Sequence, residues 1–265
     1  MWYKLKRIMM RPNGVEKQIR PTVVGNERPD IDQYTSVSNA SLVNWIHGIA
    51  VDEDGNNLYV CPASWVVSHY SLTWWDITTS TFIDSSNSIY TRWLYIKKEW
   101  DRLYSVSDNK RAYTIAMPTP FSLSGSTSSY TSISSLSAPC WCWFTPDWDY
   151  LFCVDYGDNS AYKIPLSTPR DTTTITSGTT SKSLWWIGAL YNIAISPTWL
   201  KMFVGTWSSV GIYQYDLSTA WDITTAVYSW KSISVLWRWT FTVTKSWTIY
   251  QADIGNTTVY QYEAS

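Results

Sequence analysis

Short apolar runs broken by polar turns recur along this chain, and within the runs the side chains alternate. In Ile212-Tyr213-Gln214-Tyr215 an extended backbone sends successive side chains to opposite faces of a sheet. The stretch Val51-Asp52-Glu53-Asp54-Gly55-Asn56-Asn57-Leu58-Tyr59-Val60 reads as strand, tight turn and strand. Counterparts follow with turn residues at Trp100, Trp148, Trp199 and Trp247, so the hairpin returns in steps of 45, 48, 51 and 48 residues. A period in that range predicts a repeat architecture.

Each repeat divides into four short strands. In the fourth they cover residues 192–196, 201–205 and 211–216, with a last strand opening at 225–229. Four antiparallel strands in roughly 40–50 residues is the pattern of a propeller blade, and one blade alone cannot bury both of its faces. The expected fold class is therefore all-β, a five-bladed β-propeller of four-stranded antiparallel blades that begin near residues 47, 92, 140, 191 and 238. The fifth repeat stops after a third strand, and residues 30–37 resemble the fourth-strand stretch 222–229. An N-terminal strand that completes the last blade closes the ring and leaves few exposed edges; a partial ring completed by a partner is the alternative.

The propeller is expected to span residues 27–265. Residues 1–26 stand apart, with Lys4, Lys6, Arg7, Arg11, Lys17 and Arg20 against the single acid Glu16, and a hairpin turn at Pro12-Asn13-Gly14. This basic arm reads as a solvated tail or as a docking arm for a larger assembly. It lacks the interleaved aromatics that stack bases, which argues against nucleic acid as its partner.

The turn residues are the anomaly. Glycine tolerates positive φ because it lacks a Cβ, and asparagine compensates with local hydrogen bonds, but tryptophan does neither. A second turn in each repeat shows the same exchange, its occupants being Trp65, Asn109, Gly157, Trp207 and Gly255. Side chains forced into the left-handed region cost roughly 1–2 kcal/mol each, so six such tryptophans would remove about 6–12 kcal/mol, comparable to a whole domain's stability. Composition agrees, since 19 Trp against 11 Gly inverts the usual order. The sequence thus suggests that many of these tryptophans are glycine in the living protein, as when a UGA codon that specifies glycine is read as tryptophan. Trp75 and Trp221, which both precede Asp-Ile-Thr-Thr, are expected to be true tryptophans.

A net charge of −1 gives no electrostatic case for nucleic acid or membrane. No stretch approaches the length of a membrane span, and the start is not expected to be a secretory signal, because Ile8-Met9-Met10 is too short an apolar core. Cys140 and Cys142 would share one face of a strand, yet no Cys or His at ligand spacing completes a metal set, so Cys61, Cys140, Cys142 and Cys153 read as small buried side chains. His47 opens an inner strand and reads as hydrogen-bonded in place. The pairs Asp52 and Asp54, Glu99 and Asp101, and Asp147 and Asp149 read as solvated turn carboxylates rather than a calcium site.

The stretch Ile195-Ser196-Pro197-Thr198-Trp199-Leu200-Lys201-Met202-Phe203-Val204, followed by Ile212-Tyr213-Gln214-Tyr215-Asp216-Leu217-Ser218-Thr219-Ala220-Trp221-Asp222-Ile223-Thr224-Thr225, resembles the repeats of YVTN/WD40-like β-propellers. Such propellers occur in surface proteins and in phage tail or fibre proteins. The resemblance implies a binding or structural module, virion-associated or surface-directed, with a protein or glycan partner at the blade-connecting loops and no cofactor. Trp75, Trp221 and the Ser/Thr-rich stretch 122–137 are the candidate contacts. No catalytic motif is present, so no enzyme is expected. The alternative is a propeller hydrolase of the lactonase or phosphotriesterase type with a divalent ion in the channel.

Overall fold

The computed structural model describes residues 31–42, 45–52, 54–62, 66–86, 93–96, 101–107, 109–145, 149–176, 178–184, 187–196, 198, 200–206, 211–234, 239–244, 246–253 and 257–264. The basic arm, Trp65, Trp100, Trp148, Trp199 and Trp207 lie outside them. Among the described residues no helix is long and apolar enough to cross a membrane.

Among the described residues twenty strands form five four-stranded antiparallel sheets, each one blade. Blade one holds β2 (Ile46–Val51), β3 (Asn57–Pro62), β4 (Ser68–Thr73) and β5 (Asp76–Ser85). Blade two holds β6 (Trp93–Ile96), β7 (Arg102–Ser107), β8 (Arg111–Ala116) and β9 (Thr127–Ser132). In blade three these places belong to β10 (Pro139–Phe144), β11 (Tyr150–Asp155), β12 (Ser160–Pro165) and β13 (Thr180–Ser183), and in blade four to β14 (Leu190–Ile195), β15 (Lys201–Thr206), β16 (Gly211–Leu217) and β17 (Ala226–Ser234).

Blade five is built from both ends of the described chain. To β18 (Trp239–Val243), β19 (Ile249–Asp253) and β20 (Thr258–Ala264) is added β1 (Tyr34–Ser41), paired from Tyr34 with Ala264 to Ser41 with Thr258. The inner strands touch in order, β2 on β6, β6 on β10, β10 on β14, β14 on β18 and β18 on β2, so the ring is closed. Stacking explains burial along each blade. After its first residue β11 is buried throughout, being covered by blades on both sides, while the outer strand β9 is almost wholly exposed.

Two contacts repeat from blade to blade. The first uses an aromatic of the second strand, in four of the five blades. Tyr59 donates its hydroxyl to the carbonyl of Phe121 in the next blade at 2.9 Å, Tyr104 donates to Arg170 at 3.1 Å, and Tyr250 donates to Trp75. Phe152, which has no hydroxyl, stacks on Trp221 at 6.0 Å. Each accepting or stacking residue has positive φ: Trp75 66°, Phe121 65°, Arg170 70° and Trp221 63°. The left-handed turn directs the carbonyl toward the neighbouring blade, and the buried aromatic meets it. Burial pushes the phenols of Tyr59 and Tyr104 up, Tyr104 to about 12, so both remain donors.

The second contact uses the third strand. Gln214 accepts from the Ile31 N–H at 2.9 Å and Gln261 from the Ile77 N–H at 3.2 Å, while Thr114 bonds Thr172 at 2.9 Å. Blade one departs from this pattern. His69 holds the equivalent place, and the reaching group is Asp84 of β5, which accepts from Ser122 Oγ at 2.7 Å and the Leu123 N–H at 3.0 Å. His69 secures that carboxylate through Nδ1 at 3.1 Å, faces Asn57 Oδ1 through Nε2 at 2.8 Å and stacks on Tyr59 at 4.7 Å.

The structure corrects several local expectations. Asp52 is buried rather than solvated, accepting from the Asn56 and Asn57 N–H groups and from Asn57 Nδ2. Cys140 and Cys142 do not share a face, because the register shifts between them and they enter separate core clusters. In the second turns of blades two and three, positive φ falls on Lys110 (61°) and Asn159 (54°), not on Asn109 or Gly157. Gly157 is needed for another reason, since a Cβ there would lie 2.1 Å from Ser137 Oγ. The cysteines are free and buried as expected, and burial pushes the Cys142 and Cys153 thiols well up.

Two outcomes follow. Tyr104→Phe should cost about 1 kcal/mol in urea unfolding, one neutral hydrogen bond, whereas Tyr104→Ala should cost about 3–5 kcal/mol through the lost ring. For His69, burial lowers the pKa and outweighs Asp84, which favours the charged ring. The neutral form is therefore preferred in the folded state. Stability should hold above the ordinary value of about 6.5 and decline as pH falls through the lower folded value. His69→Gln, which installs the residue found at 214 and 261, should flatten that decline in unfolding curves measured between pH 8 and 5.

Candidate functional site

The Ser/Thr-rich stretch 122–137 does two jobs. Its first part receives the Asp84 clasp, and its last part forms one wall of a groove of 490 Å³ between blades two and three. That wall is Ser132, Ile133, Ser134, Ser135 and Leu136; the other is Tyr162 and Ile164 of β12 with Ile175, Thr176, Gly178 and Thr179 from the connection to β13. Among the described residues no charged side chain lines it.

Local chemistry explains why the first wall stands where it does. Ile133 and Leu136 are buried, anchoring a turn in which the Leu136 N–H donates to Ile133 O at 3.0 Å, and this leaves Ser134 and Ser135 exposed. The end of the turn is fixed by Asp155, fully buried at the tip of β11. Its carboxylate accepts from Ser137 N at 2.6 Å, Ser137 Oγ at 2.7 Å, Ala138 N at 2.9 Å and Gly157 N at 2.8 Å. A buried carboxylate with four donors is held by charge-assisted bonds stronger than neutral ones.

The second wall rests on an isolated bridge between Leu166 and Ile175, on the Thr176 N–H donating to Pro165 O at 3.0 Å, and on Gly178 at φ 104°. Asp171 shapes the approach, accepting from the Thr173 N–H at 2.9 Å and Thr173 Oγ1 at 2.6 Å. Those bonds hold its carboxyl below the usual range. Tyr162 gives its hydroxyl to Asp158, and burial followed by that carboxylate pushes the phenol up. What Tyr162 offers the groove is therefore its ring.

The other candidates lie elsewhere. Trp75 and Trp221 take part in blade-to-blade packing, one against Gly55 and Tyr250, the other against Phe152. Sequence reasoning missed Asp155 and the His69–Asp84 pair: Asp155 is met by Ser137 and Ala138 from the segment leading into its own blade, and His69 and Asp84 pair across neighbouring strands before Asp84 reaches Ser122 and Leu123 of the next blade. Among the described residues no three His, Cys, Asp or Glu side chains gather as a metal site.

No family model and no curated protein matches this chain. Among solved structures it is similar to the glutaminyl cyclase of Myxococcus xanthus, with a TM-score of 0.58 and 10% identity over 87% of this chain and 95% of that one. It is also similar to a protein from Lactobacillus plantarum, with a TM-score of 0.45 and 12% identity over 77% of this chain and 63% of that one, a likeness too loose to carry an argument. The first likeness is one of fold. It overturns the expectation that no enzyme is present, because this ring of blades is one on which an enzyme is built, and the lack of a linear motif does not speak against catalysis.

The Asp155 anchor is open to test. Asp155→Asn replaces an accepting oxygen with a donor that faces N–H groups, and should cost about 2–3 kcal/mol, with faster proteolytic cleavage within residues 132–137 than in the parent protein.

Proposed function

We propose that this propeller is a recognition module whose ligand is an uncharged, hydroxyl-rich molecule of the saccharide class, bound in the groove between blades two and three. The observation that carries this reading is the lining: the hydroxyl-bearing Ser132, Ser134, Ser135, Thr176 and Thr179, the apolar Ile164 and Ile175, the Tyr162 ring, and no charged residue among the described ones. A hydroxyl both donates and accepts, which suits a ligand whose own groups do the same. An ionic ligand would lose its hydration there without a counter-charge. The volume falls within the range of small-molecule sites. Surface or virion-associated recognition, as the repeat resemblance implies, fits such a ligand.

The test is titration of the purified chain with a panel of neutral and acidic oligosaccharides. Binding should be confined to neutral members, and Tyr162→Ala or Thr176→Val should weaken it at least about tenfold, roughly 1.4 kcal/mol, without changing the unfolding midpoint by more than a few degrees. Preference for acidic members, or binding untouched by either substitution, would sink the proposal.

A further inference from the structure

Among the described residues, eleven that are not glycine have positive φ, and seven of them are tryptophan: Trp45, Trp74, Trp75, Trp141, Trp221, Trp230 and Trp247. For a bulky residue this conformation is an outlier. The seven do not form one class, because two of them share a position with other large residues. Trp75 and Trp221 stand where Phe121 and Arg170 stand in blades two and three, at φ values between 63° and 70°, and their rings pack between blades. The fold accepts a side chain there.

Four others have a separate reason to be glycine. Trp247 has φ 65° and closes its turn with its N–H donating to Thr244 O at 2.9 Å; in the same turn of blade one, Gly55 has φ 68° and donates to Asp52 O at 3.1 Å. Trp74 and Trp75 are the two residues between Thr73 and Asp76, which pair, and both have positive φ. That is the two-residue hairpin usually occupied by Asn-Gly or Gly-Gly. Trp141 has φ 53° at the register shift between Cys140 and Cys142, where a left-handed bulge residue is ordinarily glycine. Its side chain is fully buried, with the indole N–H lacking a hydrogen-bond partner. Trp230, at φ 62°, sits in the bulge where β17 shifts register against β16, and its ring is 87% exposed.

We infer that Trp74, Trp141, Trp230 and Trp247 occupy glycine positions of the natural protein, their codons being read as glycine in the cell that makes it, and that Trp75 and Trp221 are tryptophan there. Two measurements test this. In the recombinant chain, Trp74→Gly, Trp230→Gly and Trp247→Gly should each raise the folded-to-unfolded ratio roughly 5- to 30-fold. Trp141→Gly should raise it as well, whereas a native tryptophan at that buried site would leave a cavity and lower it. Trp75→Gly and Trp221→Gly should lower it. The second measurement is peptide mass spectrometry of the protein from its natural source, which reads each position even if the recombinant chain does not fold. Glycine at the four positions with tryptophan at 75 and 221 is the expected result. Tryptophan at 141 or 247, or loss of stability in both of those glycine variants, overturns the inference.

Discussion

The ring depends on one repeated contact, the buried aromatic of a second strand set against a left-handed residue in the next blade. Tyr59, Tyr104, Phe152 and Tyr250 make it at four of the five junctions. Each blade alone is a small sheet with two apolar faces to cover, and the contact fixes the distance and angle at which its neighbour covers one of them. It also explains why the chain turns left-handed in the connection that leads to each of these outer strands. A carbonyl turned that way is removed from its own sheet and needs a donor, which the neighbouring tyrosine supplies. Where phenylalanine replaces tyrosine, stacking takes over, so the aromatic ring is the constant and the hydroxyl the variable.

Blade one shows how the second contact varies. In blades two, four and five a third-strand side chain bonds the next blade directly; here His69 is set back and Asp84 makes the reach, with Asn57 and Asp52 extending the chain of bonds behind the histidine. A neutral amide acceptor is thereby replaced by a carboxylate and a titratable ring. The junction gains charge-assisted bonds and becomes the one of the described third-strand contacts that protons can alter.

Much of the architecture was legible in the chain itself. Blade number, strand order and the closing N-terminal strand followed from a period near 48 and from the likeness of residues 30–37 to 222–229, because both report local hydrogen-bonding patterns that every blade repeats. What resisted was burial and pairing that no residue spacing announces. Asp52 looks like a solvated turn acid, yet it is buried and takes its bonds from Asn56 and Asn57 of its own turn, and three of the four bonds to Asp155 come from Ser137 and Ala138, well upstream in the chain. The groove was half legible: the stretch 122–137 stood out by composition, but its facing wall comes from a different blade, and serine and threonine carry no spacing that distinguishes a binding surface from an ordinary exposed loop.

Glycine and tryptophan are complementary at one point in blade one, and this bears on the whole ring. The Trp75 ring lies directly on Gly55, where a Cβ would stand 1.9 Å from the indole, and the Trp75 N–H donates to Gly55 O at 3.1 Å. Such contact is feasible only if one of the two residues has no side chain. The same pair of positions in blade four is occupied by Trp199 and Trp221. Trp199 lies outside the described residues, while Trp221 adopts the backbone of Trp75 and packs between blades as Trp75 does. In blade one the bare backbone at residue 55 is what leaves room for the indole of Trp75, and the Trp75 carbonyl in turn receives the Tyr250 hydroxyl of the neighbouring blade. The turn of one hairpin and the junction with the next blade are thus set by the same residue, because a side chain at 55 would push away the group on which the junction closes.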